Sequence, residues 1–488
     1  MGDRFDLLIV GGGVNGAGIA RDAAGRGHEV LLVEQDDLAA YTSSASTKLI
    51  HGGLRYLEYG EIRLVREALI ERERLWGMAP HIIWPARFVL PQTHSPRPAW
   101  MVRLGLFLYD HLGGRKKLPG TETIRLERSA YGDGLSDPKG LAFVYSDCRV
   151  DDSRLVVLNA QDAQARGADI RTRTRLVSAH REGDGWIATI ADSTGERQVR
   201  ARVLVNAAGP WVTDVIARAA GARSNRGVRL VKGSHIVVPR LYAGDHAFML
   251  QNADRRIVFT LPYERHFTLI GTTDEPWEGA PGRAGISAEE TRYLLDTVNA
   301  YFARRLGEGD IVWSYAGIRP LYDDKAGNAS AVTRDYVLDL DDAGAPVLSV
   351  FGGKITTYRK LAEHAMAQLA RWLPGEAWTA GAALPGGDMA DFPTFLSDVE
   401  RERPGFPPVL LQRLAKAYGT RIGEVLGDAR TPADLGADLG GGLHAREVDH
   451  LVAREWARTA EDILWRRSKL GLHVPPGTKA RLSAYLRR

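Results

Sequence analysis

The spacing of apolar and polar positions predicts an α/β chain. Leu7-Leu8-Ile9-Val10 is a short continuous apolar run, the pattern of a strand buried on both faces, and it stops at Gly11-Gly12-Gly13-Val14-Asn15-Gly16. A helical segment follows, then a second apolar run, His28 to Val33, closing on Glu34. That succession is a βαβ unit. Ile62 to Trp76 has helical spacing with alternating charges and predicts a surface helix. Pro85 to Pro98, rich in Pro and Arg, predicts an extended connection, and Ala99 to Leu112 an unusually apolar helix. Ser153 to Arg166 is expected to be helical. Strands are expected at Ile170 to Val177, Trp186 to Asp192 and Gln198 to Val205, as a meander. A strand-rich block spans 228 to 275, followed by a helix over Ser287 to Leu306 and a strand over Val312 to Leu321. Pro346 to Phe351 predicts a strand that runs at once into Gly352-Gly353 and a helix to Trp372. Past the linker Leu384-Pro385-Gly386-Gly387-Asp388, the pattern is helical to the end.

Composition narrows this picture without redirecting it. The 488 residues leave room for two or three domains, and 44% hydrophobic with 25% charged residues is ordinary for a globular chain. A net charge of +4 suits anionic ligands or an anionic surface but is too slight to imply nucleic acid. Cys148 is the single cysteine, so an internal disulfide, a cysteine-pair redox centre and an iron–sulfur cluster are excluded, and a cytosolic setting is expected. The chain enters its first strand at once, so no signal peptide is expected, and no apolar run reaches the length of a bilayer span. The apolar segment at 99–112 is flanked by Arg97, Arg115, Lys116 and Lys117 and carries Arg103, which favours a membrane surface slightly over a buried core. From Ile463 onward there is no Asp or Glu, while Arg466, Arg467, Lys469, Lys479, Arg481, Arg487 and Arg488 accumulate. Such a run is expected to be a solvated basic face or a contact with anionic lipid.

The candidate chemistry sits at the strand ends. Gly11, Gly13 and Gly16 have the G-x-G-x-x-G spacing. Gly11 permits a tight turn, Gly13 lets backbone approach a pyrophosphate, and Gly16 lets helix and strand pack closely. The helix N-terminus favours phosphate, and Glu34 is placed to accept from an adenosine ribose. The unit alone does not distinguish FAD from NAD. Thr42 to Thr47 is dense in hydroxyls, and glycine turns recur at Ala208-Gly209 and Gly352-Gly353. Three turns at strand ends fit one extended dinucleotide lying across the sheet. No second fingerprint and no cysteine pair occur, which leaves a single flavin reduced by a small substrate. Arg55, Arg319 and Lys354 each follow a strand or a glycine turn. If they converge, they suit a dianionic phosphate; otherwise they are separate surface ion pairs.

The stretches SSASTKLIHGGLRYLE, DCRVDDSRLVVLNA, VNAAGPW, KGSHIVV, IGTTDEP, AGIRPL, FGGKITTYRKLAE, LPGGD and EDILWRRSKLGL, in this order over nearly the whole chain, resemble the FAD-dependent, aerobic-type glycerol-3-phosphate dehydrogenases. Ala45 stands where that family often has Arg. The resemblance implies an α/β fold: a Rossmann-type FAD-binding domain (1–75, 150–215, 346–384), a mixed-sheet α+β substrate or membrane-facing domain (76–149, 216–345) and a C-terminal all-helical domain (385–488). It implies FAD held by Gly11, Gly13, Gly16, Glu34, Thr42, Ser43, Ser46, Thr47, Lys48, Leu49, Val177, Ala208, Gly209, Gly353 and Thr356, with no metal. The helix opened by Gly352-Gly353 would aim its dipole at the flavin. The resemblance further implies sn-glycerol 3-phosphate held by Arg55, Arg319 and Lys354 beside Tyr56, and hydride passing from its C2 to the flavin. His51 is the first choice for the base and His235 the second; neighbouring cations would keep either imidazole neutral. Electrons would go to ubiquinone or another quinone. The enzyme would sit in the cytoplasm, peripherally on the inner face of the plasma membrane, and a homodimer is allowed. The rivals are a glycerol-3-phosphate oxidase that passes electrons to O₂ and a flavin-containing regulatory protein that binds nucleic acid.

Overall fold

The computed structural model describes residues 3–115, 117–224, 226–323 and 335–488. Lys116, counted above among the flanking cations, lies outside them. The opening unit forms as the pattern predicts: strand Arg4–Val10, helix Val14–Gly25 and strand Val30–Val33, the two strands parallel. Leu7 to Val33 is almost wholly apolar at its strand positions because this sheet is covered on both faces. Helices Val14–Gly25, Asp152–Ala165 and Tyr358–Gln368 cover one face and build a core around Ala17, Ala20, Val156 and Leu361. The other face packs Leu8, Leu31, Trp186 and Val199 under the meander Arg175–Glu182, Gly185–Asp192, Gly195–Asn206. The last strand of that meander is long. Its first half pairs antiparallel with Gly185–Asp192, and its second half runs parallel to Arg4–Val10 and Val347–Phe351. Three strand ends therefore come to one edge, at Gly11, Ala207-Ala208 and Gly352.

A second sheet of ten strands carries the rest of the site. Near one edge, Val228–Pro239 pairs with Trp313–Tyr322 on one side and Phe267–Gly271 on the other. Two expectations change here. Ile83–Pro91 is a strand paired along its whole length with Leu141–Val150, not a connection; Pro85 and Pro91 misled because their missing N–H groups need not interrupt a ladder. Leu49–Ile50 pairs into the second sheet, and Val337–Asp341 pairs with Val347–Phe351 in the first. The helix expected on the surface, Ile62–Met78, is buried along one stripe, including Arg72 and Glu71. Ser287 caps Ala288–Tyr301 with a capping box to Glu290, as its hydroxyl permits.

The helices Phe392–Glu402, Pro408–Tyr418, Ile422–Leu426, Ala445–Arg454 and Thr478–Tyr485 build their own core around Leu411, Leu414, Val448 and Leu451. The basic run after Ile463 is where expectation and structure part most. Arg466, Arg467 and Lys469 are buried. Arg466 and Arg467 both donate to Asp37, at 2.6 and 2.7 Å, and Lys469 donates to Ser153 at 2.7 Å beside Asp152. Arg154 pairs with Glu455, and Arg173 with Asp462 at 2.7 Å. The acids that neutralise these cations lie largely earlier in the chain, out of reach of a local count of charge.

Candidate functional site

Two adjoining cavities share Val14, Thr42, Ser43, Pro320 and Gly353. The first runs along the strand ends. At Gly11 (φ +115°) a Cβ would lie 2.4 Å from the Ala207 carbonyl oxygen, so only glycine allows backbone to run this close. Gly16 does not line the cavity. Its missing Cβ, which would sit 1.9 Å from the Gly11 oxygen, lets the helix seat against the turn. Helix Val14–Gly25 has no acid in its first turn and only the neutral Ser43 hydroxyl accepting from its Val14 N–H, at 3.0 Å, so its positive end is directed at the cavity. Glu34 accepts from the N–H of Gly12 at 2.6 Å and of Asp36 at 2.9 Å. Burial pushes its carboxyl up to about 7 against those two bonds. Asn15 Oδ1 and Thr357 Oγ1 are buried with no partner.

The second cavity holds the charged and titratable groups. Arg55, Tyr56, His51, Arg319 and Lys354 all line it, with Ser46, Thr47, Leu49 and Thr356. His51 and Arg55 come from one loop, Arg319 from the strand Trp313–Tyr322, and Lys354 from the turn after Val347–Phe351. The three cations converge. Lys354 Nζ stands 3.8 Å over the Tyr56 ring. Arg319 pairs with Asp274 and donates to Thr272 Oγ1 at 2.8 Å, in space that Gly233 leaves open. Arg55 Nε is buried without an acceptor. Burial, then Lys354 and Arg72, pull the His51 imidazole down to about 4, so it is neutral at ordinary pH. The N–H of His51 donates to Thr356 Oγ1 at 3.2 Å, and the next amide, of Gly52, donates to Tyr109 Oη at 2.7 Å. The loop is thus held from both sides.

His235 lies one layer back. It is 1% exposed, stacks on Tyr315 at 4.7 Å, and its Nε2 meets Thr47 Oγ1 at 3.0 Å. Burial, Arg319 and Lys48 hold it well below the ordinary imidazole range. Two further expected residues stand outside both cavities. Lys48 is buried on Asp152 at 2.8 Å. Val177 sits at a register shift between Leu176 and Ser178, and Thr174, Arg175 and Leu176 line the cavity in its place. The helix after Gly352-Gly353 begins only at Tyr358, so a turn separates the glycines from its N-terminus. Asp274, Thr272 and Asn15 were missed by sequence reasoning. All three lie inside quoted motifs, but side-chain pairing with Arg319 has no sequence signature.

The geometry is that of a flavin-type dinucleotide site opening onto a cationic chamber. Among known families, FAD dependent oxidoreductase (DAO) matches residues 6–359, and the C-terminal domain of alpha-glycerophosphate oxidase matches residues 377–483. The chain is similar to the D-erythritol 1-phosphate dehydrogenase of Brucella abortus, 55% identical over 98% of this chain and 97% of that one. It is also similar to the glycerol-3-phosphate dehydrogenase of Pseudomonas aeruginosa, 54% identical over 100% and 96%. Among solved structures, the glycerol-3-phosphate dehydrogenase of Bacillus halodurans complexed with FAD superposes with a TM-score of 0.76 at 28% identity, covering 96% of this chain and 86% of that one. The chain belongs to the family of FAD-dependent oxidoreductases that contains the glycerol-3-phosphate dehydrogenases. FAD is its cofactor. The close approach at Gly11, the helix end at Val14 and the buried, unpartnered Asn15 oxygen fit that group along the first cavity.

Proposed function

We propose that this enzyme oxidises sn-glycerol 3-phosphate to dihydroxyacetone phosphate and delivers the electrons to a membrane quinone. One observation carries the reading: Arg55, far in sequence from Arg319 and Lys354, lines one chamber with them and with His51 and Tyr56. Gly11, Gly13, Glu34, Thr42, Ser43, Ala208, Gly209 and Gly353 hold FAD, which supplies the hydride acceptor. The guanidinium groups bind the substrate phosphate with forked hydrogen bonds, and Lys354 adds a point charge. Asp274 fixes the Arg319 fork in place. His51, neutral and inside the chamber, takes the proton of the C2 hydroxyl at a ring nitrogen. His235 reaches the chamber only through Thr47 and serves that hydroxyl's orientation.

The apolar helix Ala99–Leu112 supports docking on a membrane surface. Trp100 is 70% exposed and Leu104 52%, with Phe107 beside them on the same open face and Arg103 exposed nearby. Among the described residues, no helix is long and apolar enough to cross a bilayer. The basic C-terminal run gives this reading no support, because its central members are buried in ion pairs.

A second reading concerns the carbon chain. The relatives acting on three-carbon and four-carbon polyol phosphates are equally similar, at 54% and 55% identity. Anaerobic mixing of the holoenzyme with each phosphate separates them: bleaching of the flavin absorbance by sn-glycerol 3-phosphate at the lower half-saturating concentration supports the first, and bleaching by erythritol phosphate alone excludes it. In air, a stoichiometric yield of hydrogen peroxide in the presence of quinone would replace the dehydrogenase with an oxidase. His51→Gln is expected to retain FAD and to lose about 10²-fold or more in kcat; unchanged kcat would remove it as the base.

A further inference from the structure

Away from both cavities, a cleft of about 820 Å³ separates the helix Pro408–Tyr418 and residues 467–473 from the second sheet. Most charges facing it are committed. Arg413 forks onto Glu447 at 2.7 Å and Lys469 is held by Ser153 and Asp152. Arg240 is spent on Asp245 and four backbone carbonyls. Glu264 faces His473 at 3.7 Å, Asp438 accepts the N–H of Gly440 at 2.7 Å, and Asp151 caps the helix Asp152–Ala165.

The exposed Arg265 donates to Gln412 Oε1. Two cations that are not exposed, one from each wall, are left over. Arg149, on the strand Leu141–Val150, gives one Nη to the Pro262 carbonyl at 2.7 Å, while its Nε is buried with no acceptor. Lys416, on the helix, touches only the Trp84 ring face at 4.9 Å. Neither has a carboxylate within ion-pair distance among the described residues. Trp84 is the cross-strand partner of Arg149, so the ring under Lys416 brings the two cations to one wall. Burial pulls both below their ordinary values, against the opposing effect of Asp245 on Arg149 and of Glu264 on Lys416. The Tyr263 hydroxyl and the Trp84 Nε1–H are further donors buried in this wall without an acceptor. Cations and donors brought together out of water without an acceptor carry a desolvation cost that a bound anion offsets. Two cations with adjoining neutral donors fit a dianion with several acceptor oxygens.

We propose that this cleft is a second anion site that binds a phosphate-bearing small molecule between Arg149 and Lys416, and so ties the helical unit to the sheet. It shares no residue with the cationic chamber except Thr47. Isothermal titration of the holoenzyme with inorganic pyrophosphate tests it. Wild type is expected to show two classes of site, because the chamber cations also take phosphate. Lys416→Gln should weaken one class about tenfold or more and leave the other; Arg319→Ala should do the reverse. Arg149→Gln is a second route to the same loss. A single class in wild type that vanishes in Arg319→Ala, or two classes that both survive in Lys416→Gln and Arg149→Gln, would overturn the proposal.

Discussion

Arg55, Arg319 and Lys354 line an open chamber, whereas Arg466, Arg467 and Lys469 are buried against Asp37, Asp462 and Asp152 where the helical unit meets the first sheet. In sequence the second group is the denser and the more conspicuous. In the fold it is the one with little charge left to offer a ligand. What separates the two sets is where they lie: one lines a cavity, the other is packed against acids in the interior. Asp37 accepts from two arginines at once; burial pushes its carboxyl up, but Arg467 and Arg466 outweigh that and hold it at about 2. In the chamber, Asp274 is the acid that pairs with Arg319, and Arg55 keeps a buried, unsatisfied N–H. Basicity in a sequence therefore locates cations, while function depends on which of them face a cavity after folding.

The contrast breaks first at Asp37. Asp37→Ala takes from Arg466 and Arg467 the buried carboxylate they share and should cost about 3–5 kcal/mol of stability. Thermal denaturation of the holoenzyme would show a lowered Tm, and the protein that remains folded should keep its KM. A raised KM with an unchanged Tm would reverse the roles of the two groups. Arg319→Ala should do the opposite, raising KM about 10- to 100-fold through loss of charge-assisted hydrogen bonds, with Tm little moved.

Acid sharpens the same contrast. His51 is held near 4 when folded, and an unfolded histidine titrates near 6.5. The unfolded chain therefore binds protons that the native site refuses. Stability falls as pH drops through the window from about 6.5 to about 4, and His81, lowered by burial to about 3, adds to the slope in the same direction. The acid limb of kcat/KM should move to higher pH in Lys354→Met, which removes a cation beside His51, and should stay in place in Lys479→Gln. The smallest effect is expected at the exposed tail: Lys479→Gln with Arg488→Gln should change Tm by no more than about 0.5 kcal/mol equivalent and leave liposome binding intact. Loss of liposome binding in that variant would restore the tail as the lipid contact.

The nucleotide half of the site was legible because it is local. Gly11, Gly13, Gly16 and Glu34 fall within one βαβ unit, where apolar runs and glycine spacing fix strand, turn and helix together. The chamber was legible only by resemblance, since Arg55, Arg319 and Lys354 meet through the pairing of distant strands. What misled has physical causes. Ile83–Pro91 looked like a connection because proline lacks an N–H, yet it pairs along its length with Leu141–Val150. The run after Ile463 looked solvated because acids as far away as Asp37 do not appear in its own composition. Asp274, which steadies Arg319, was hidden in a stretch noted for its glycine and threonines.

The central claim is that the chamber recognises its substrate through the phosphate and oxidises the neighbouring secondary alcohol. Anaerobic stopped-flow of the holoenzyme against rising sn-glycerol 3-phosphate, with unphosphorylated glycerol in parallel, tests it most directly. The account predicts saturable bleaching of the flavin by the phosphate ester, a half-saturation raised at least tenfold in Arg319→Ala, and no comparable bleaching by glycerol. Equal bleaching by both alcohols, or none by the ester, would contradict it.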